Sequence, residues 1–185
     1  MLNVKVIKVK KLIQDKIEQL LTSDNFGWFY NPTTIYDTKN IRKLKFSENK
    51  FDEKDTWQFT HKFYDELYNT SSYYYENALD LFHATKIKYE KFLRIKANFT
   101  VPSLQLGKHH QFIHRDVKKD NITTFLYYVN DSDGDTIFFD DNKKETKRFK
   151  PKKGTGLLFK SNILHAGSNP VKYDKRMVIN YNFYE

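Results

Sequence analysis

The stretch from Phe92 to Val101 alternates without a break. Leu93, Ile95, Ala97, Phe99 and Val101 fall on one side, and Arg94, Lys96, Asn98 and Thr100 on the other. Period two is the repeat of a β-strand that buries one face. More strand-like runs follow at Gln111–Asp116, Ile122–Asn130, Thr136–Asp140, Gly156–Lys160 and Arg176–Tyr184. Turn-rich segments separate them, among them Asp131-Ser132-Asp133-Gly134 and Lys150-Pro151-Lys152-Lys153-Gly154. Short strands punctuated this often predict an antiparallel sandwich or barrel.

The first half of the chain has a different period. Leu12, Ile13, Ile17, Leu20 and Leu21 share one helical face between about residues 10 and 22. A short helix is expected over about 59–68 and a longer one over about 73–89, burying Ala78, Leu79 and Phe82. Residues 28–58 read as irregular. The 185 residues therefore read as a single domain of α+β class, mainly β. A helical support region over 1–90 would cover one face of a β core over 91–185.

Composition removes several classes. With no cysteine, disulfide scaffolds and thiolate zinc sites are excluded. Sixteen Phe, thirteen Tyr and two Trp can bury a sizeable core, which argues against disorder. Six glycines are too few for a Gly-rich phosphate-binding fold. The net charge of +9 permits an anionic partner but does not require one. No run approaches the ~18 apolar residues of a membrane helix, and the N-terminus lacks a signal-peptide pattern. These features lead to the expectation of a cytoplasmic, intracellular protein with no membrane partner.

Two motifs mislead. His114-Arg115-Asp116-Val117-Lys118-Lys119-Asp120-Asn121 matches a protein-kinase catalytic loop almost letter for letter. Yet no Gly-rich loop precedes it, no Asp-Phe-Gly follows, and strands stand where a kinase needs helices. Asp131-Ser132-Asp133-Gly134-Asp135 resembles the start of a calcium loop, but the glycine is misplaced and position twelve is Asn142. A hairpin turn is the better reading.

The same His114-x-Asp116 reads differently as metal ligands. Residues i and i+2 of a strand point to one face, so an imidazole and a carboxylate converge. His165, 49 residues beyond Asp116, supplies a third ligand. Two His and one carboxylate make the facial triad of non-haem Fe(II), with open coordination positions. Arg176 follows His165 by eleven residues and opens the final strand. Its planar fork suits a bidentate carboxylate, with Lys175 as a neighbouring alternative. The Tyr127-Tyr128 pair offers a phenol to the barrel interior, and Lys153-Gly154-Thr155-Gly156 turns into the strand that leads to His165.

Taken in order, these elements over roughly residues 91–185 resemble the 2-oxoglutarate- and Fe(II)-dependent oxygenase superfamily, in particular its prolyl-4-hydroxylase-like branch. The resemblance implies a double-stranded β-helix (a jelly-roll-like core of cupin type) backed by helices. It implies His114, Asp116 and His165 as metal ligands. Arg176 and Tyr127 would bind the co-substrate, with Tyr128 facing the helices. The cofactor would be Fe(II), with 2-oxoglutarate and O2 as co-substrates and ascorbate as an accessory reductant. The implied activity is a dioxygenase that couples decarboxylation of 2-oxoglutarate to hydroxylation of a protein, peptidyl or small-molecule substrate. The family's tyrosine ahead of H-x-D is replaced here by Leu104 or Gln105.

If Arg176 points inward, so do Val178, Asn180 and Asn182, while Met177, Ile179, Tyr181 and Phe183 must be covered by helices. A second reading is a non-catalytic or differently metallated β-sandwich binding module with a basic surface. The hairpin 143–153 carries seven Lys or Arg in eleven residues. It reads better as a solvated tip than as a nucleic-acid site.

Overall fold

The computed structural model describes residues 3–32, 34, 56–103 and 110–185. Eleven strands and two helices are seen among them. The larger sheet contains β1 (Lys5–Lys8), β2 (Phe29–Asn31), β3 (Gln58–Asp65), β4 (Thr70–Ser71), β5 (Phe92–Thr100), β6 (Ile122–Tyr128), β9 (Thr155–Lys160) and β11 (Arg176–Tyr184). The smaller sheet contains β7 (Thr136–Phe139), β8 (Glu145–Phe149) and β10 (His165–Gly167). Their orders are β1-β9-β6-β11-β5-β3-β2, with β4 on β3, and β10-β7-β8. Every pairing is antiparallel. The two antiparallel sheets agree with the sandwich that the strand pattern predicts and with the double-stranded β-helix that the resemblance implies.

The outer face of the larger sheet carries the main core. Met177, Ile179, Tyr181 and Phe183 of β11 cluster with Ala78, Leu81 and Phe82 of α2 (Tyr75–His83) and with Ile17 and Leu21 of α1 (Lys11–Leu21). The helices cover the apolar face as expected. Phe82 lies edge-on to Phe92 and Phe183 at centroid distances of 4.9 and 5.1 Å, geometries that add to simple burial. Tyr181 donates its hydroxyl to the Ala78 carbonyl at 2.9 Å, tying β11 to α2.

Four expectations are corrected. The helix over 59–68 is instead strand β3 followed by a 3-10 turn at Glu66–Tyr68. Its alternation of Gln58, Thr60 and Lys62 against Phe59, His61 and Phe63 is period two, and pairing with β5 fixes it. The region ahead of Phe92 is therefore not purely helical. The second helix is shorter than 73–89: Thr85 turns its hydroxyl to the Phe82 carbonyl at 2.6 Å, and Lys86 adopts a left-handed φ of 60°. Gln111–Asp116 is not a continuous strand: it holds one isolated bridge, His114 to His165, and His110 just ahead of it bridges Ser168. β1 went unrecognised, because its Lys-apolar alternation continues into α1 without a turn signal. Most of the segment read as irregular over 28–58 lies outside the described residues, as do Leu104 and Gln105.

Candidate metal and co-substrate site

The inner face of the larger sheet is polar. Arg94, Lys96 and Asn98 of β5 oppose Asn182, Asn180 and Val178 of β11, and Thr124 of β6 opposes Asn182 from the other side. Asp116 is buried against this floor. Thr124 donates to its Oδ2 at 2.9 Å, Asn182 to Oδ2 at 3.2 Å, and Asn180 Nδ2 reaches both oxygens at 3.3 Å. Arg94 lies 3.8 Å from Oδ1. Burial alone pushes this carboxyl up. The electrostatic pull of the His165 and His114 rings and of Arg94, with the Thr124 hydroxyl, outweighs it and holds Asp116 well below the usual carboxylate range.

His165 reaches Asp116 from the smaller sheet, and His114 from the segment bridged to it. His114 and His165 exchange both backbone hydrogen bonds at 2.9 Å, so their side chains leave the same face. Each ring ties its Nδ1 to a carbonyl two residues back: His114 to Phe112 and His165 to Ile163, both at 3.0 Å. A carbonyl can only accept, so each Nδ1 carries the proton and each Nε2 presents a lone pair. Those Nε2 atoms stand 3.9 Å from Asp116 Oδ1 and Oδ2 respectively, too far for hydrogen bonds. All three ligand atoms lie within 4.8 Å of one another. Burial and the His165 ring next to it lower the His114 pKa to about 4, which keeps the imidazole neutral and ready to ligate. Three lone-pair donors converging without bonding to each other fit a divalent cation, with the tautomers already set by the outer hydrogen bonds.

Arg176 enters the barrel at the other end of β11, 5% exposed. It donates from Nε to the Gly134 carbonyl at 2.7 Å and from Nη2 to Thr136 Oγ1 at 3.0 Å. A Cβ on Gly134 would meet the Ser168 carbonyl at 2.5 Å and Arg176 Cδ at 2.8 Å, so only glycine lets the guanidinium pass. No carboxylate among the described residues forms an ion pair with Arg176. Burial lowers its pKa, while Tyr128 and Asp135 act in the opposite direction. Lys175 is turned away, paired with Asp174 at 3.0 Å.

The tyrosine assignment is corrected. Tyr128 is opposite Val178 and shares its inward face, whereas Tyr127 is opposite Ile179 and lies in the helix-side core. Tyr128 donates its hydroxyl to Thr136 Oγ1 at 2.8 Å, beside Arg176. The Tyr127 hydroxyl is buried with no hydrogen-bond partner. Two adjacent tyrosines are indistinguishable by type, and only the pairing register decides which one faces inward. Thr136, which joins Tyr128 to Arg176, had no signal beyond its place after the Asp-Gly turn. The calcium-like Asp133 is an anchor for the turn: its carboxylate accepts the backbone N–H groups of Val171, Lys172 and Tyr173 at 3.0, 2.9 and 3.4 Å. The basic hairpin is partly neutralised, with Lys153 bound to Asp15 at 2.7 Å and Arg148 to Glu145 at 2.7 Å.

The arrangement defines a metal-dependent double-stranded β-helix protein. Comparison with known proteins names the class. Residues 95–184 match the 2OG-Fe(II) oxygenase superfamily, and this part of the chain is a 2OG-Fe(II) oxygenase domain. Among solved structures, the chain superposes on the non-heme α-ketoglutarate-dependent carbocyclase SnoK from nogalamycin biosynthesis with a TM-score of 0.62 at 8% identity. That match covers 100% of this chain and 80% of SnoK, and it establishes the shared fold. A prolyl-4-hydroxylase from Pseudomonas putida aligns with a TM-score of 0.45 at 12% identity, over 94% of this chain and 100% of that one. No curated protein matches the sequence at a significant level. The family is one of 2-oxoglutarate- and Fe(II)-dependent oxygenases that use O2, and the His114-Asp116-His165 cluster of this domain has the donor set such a metal takes. Among the described residues, no helix is long and apolar enough to cross a membrane.

Proposed function

We propose that His114, Asp116 and His165 hold the Fe(II), that Arg176 holds the distal carboxylate of 2-oxoglutarate, and that the product is a hydroxylated peptidyl or small-molecule substrate. The convergence of the three ligand atoms within 4.8 Å carries this reading. Bound Fe(II) would supply open positions for chelation of the 2-oxo acid and for O2 activation. The chain's own residues do the positioning. Asn180, Asn182 and Thr124 fix the Asp116 carboxylate, leaving it ionised and aimed at the histidines. Thr136 and Gly134 hold the guanidinium in plane for a two-pronged grip on a carboxylate. Tyr128 buttresses Thr136, and its own acidity is suppressed by burial to a pKa of about 12, so it stays a neutral donor.

The reading treats residues 1–185 as one domain, because α1, α2 and β3 pack on or extend the same sheet that carries the site. It is tested by anaerobic binding of 2-oxoglutarate to the Fe(II) protein, followed by optical charge-transfer absorption. The band is expected in the wild type and lost in Asp116→Ala. A wild type that binds Fe(II) but gives no band would contradict it.

A further inference from the structure

The inner face of the larger sheet holds a cation that neither metal nor co-substrate explains. Lys96 stands on the inner face of β5, directly opposite Asn180, which binds Asp116, and two residues along β5 from Arg94, which faces Asn182. On its other side it opposes Lys62, a like charge. Lys62 is compensated by Asp65 at 2.7 Å and lies over the Tyr68 ring at 4.9 Å. Arg94 is compensated by Asn182 Oδ1 at 2.9 Å and by Asp116. The Lys96 ammonium makes no hydrogen bond or ion pair with any described residue. The carboxylate that attracts it, Asp116, is the one a metal would claim. Next to Lys96, Asn98 Oδ1 and Asn180 Oδ1 are buried acceptors with no donor. A half-buried ammonium without an anion, flanked by two buried orphan acceptors, is costly unless a ligand completes it.

2-Oxoglutarate is not that ligand. Arg176 and Asn180 are four residues apart on β11, about 13 Å along the strand. The co-substrate's two ends are already taken by the metal and by Arg176. From this juxtaposition we infer that Lys96 determines substrate specificity, binding an anionic group of the primary substrate while Asn98 and Asn180 accept hydrogen bonds from donors beside that group. The substrate class is thus an acid that also carries N–H or O–H groups. The inference rests on the oxygenase reading. Burial lowers the pKa of the free ammonium to about 7, which leaves part of it reactive as an amine near neutrality.

That reactivity provides the test. The full chain, loaded with redox-inert Zn(II) and saturating 2-oxoglutarate, is reductively methylated with and without N-acetylglycine, and labelling at Lys96 is read by peptide mass spectrometry. 2-Oxoglutarate alone should leave the labelling rate within about twofold, and N-acetylglycine should slow it by about fivefold or more. In parallel, Lys96→Met should keep 2-oxoglutarate affinity within about twofold while losing the thermal shift that N-acetylglycine gives the wild type. Full protection by 2-oxoglutarate alone would overturn the inference, because Lys96 would then belong to the co-substrate. Unchanged labelling with N-acetylglycine would overturn it as well. Absence of any 2-oxoglutarate binding to the wild type would instead strike at the oxygenase reading beneath it.

Discussion

His114 and His165 face each other across a single antiparallel bridge closed by two 2.9 Å backbone hydrogen bonds, and their rings stand 4.6 Å apart at the centroids. The bridge joins the segment before Asp116 to the smaller sheet, so backbone pairing sets the spacing of the two rings. A metal that binds only the folded state then stabilises it. At 100 times its dissociation constant, Fe(II) should add about 2.7 kcal/mol. Anaerobic thermal melts with and without Fe(II) check this. The shift should vanish in His165→Ala, whereas an equal shift in that variant would place the metal elsewhere.

Arg176 and Lys175 are adjacent in sequence and opposite in orientation. Arg176→Met should raise the 2-oxoglutarate KM by about tenfold or more, since it removes a buried bidentate grip. Lys175→Met should change it by less than about twofold, because its partner Asp174 is an exposed neighbour. The reverse order of effects would assign the co-substrate to the wrong cation.

The two tyrosines separate as cleanly. Tyr127→Phe removes a buried hydroxyl that has no partner, so stability should hold or rise by up to about 1 kcal/mol, with turnover unchanged. Tyr128→Phe strips the donor from Thr136 and should weaken 2-oxoglutarate binding by a few-fold, about 1 kcal/mol. Denaturant melts and co-substrate titrations on both variants decide between them.

His61 gives the fold a pH dependence independent of the site. Its Nδ1 is bonded to the Gly27 carbonyl at 2.7 Å, while Nε2 is buried with no partner among the rings of Phe26, Phe63 and Tyr74. Burial lowers its pKa below the ordinary 6.5, against the Gly27 hydrogen bond, which raises it. Below pH 6.5 the unfolded chain binds the proton first, so stability falls as pH drops through the window beneath 6.5. Denaturant melts from pH 7.5 downward should show this loss, and His61→Phe should flatten it.

The sequence carried the chemistry further than the architecture. His114 and Asp116 share a local i, i+2 pattern, and the fold brings His165, 49 residues further on, within 4.8 Å of them. The outward set Met177, Ile179, Tyr181 and Phe183 followed from period two once Arg176 was turned inward, and the helices do cover it. What failed were decisions made by long-range pairing. β3 reads ambiguously until β5 is beside it. Tyr127 and Tyr128 exchange roles with a one-residue change of register against β11. The Asn180, Asn182 and Thr124 bonds to Asp116 bring together residues far apart in the chain, and no local spacing announces them.

The central claim is that Asp116, positioned between His114 and His165, makes this chain an Fe(II)-dependent consumer of 2-oxoglutarate. Succinate released from 2-oxoglutarate in the presence of Fe(II), O2 and ascorbate, in wild type and in Asp116→Ala, tests it most directly. The account predicts Fe(II)-dependent succinate from the wild type and a loss of about 100-fold or more in the variant. Equal succinate formation by the two proteins would contradict it.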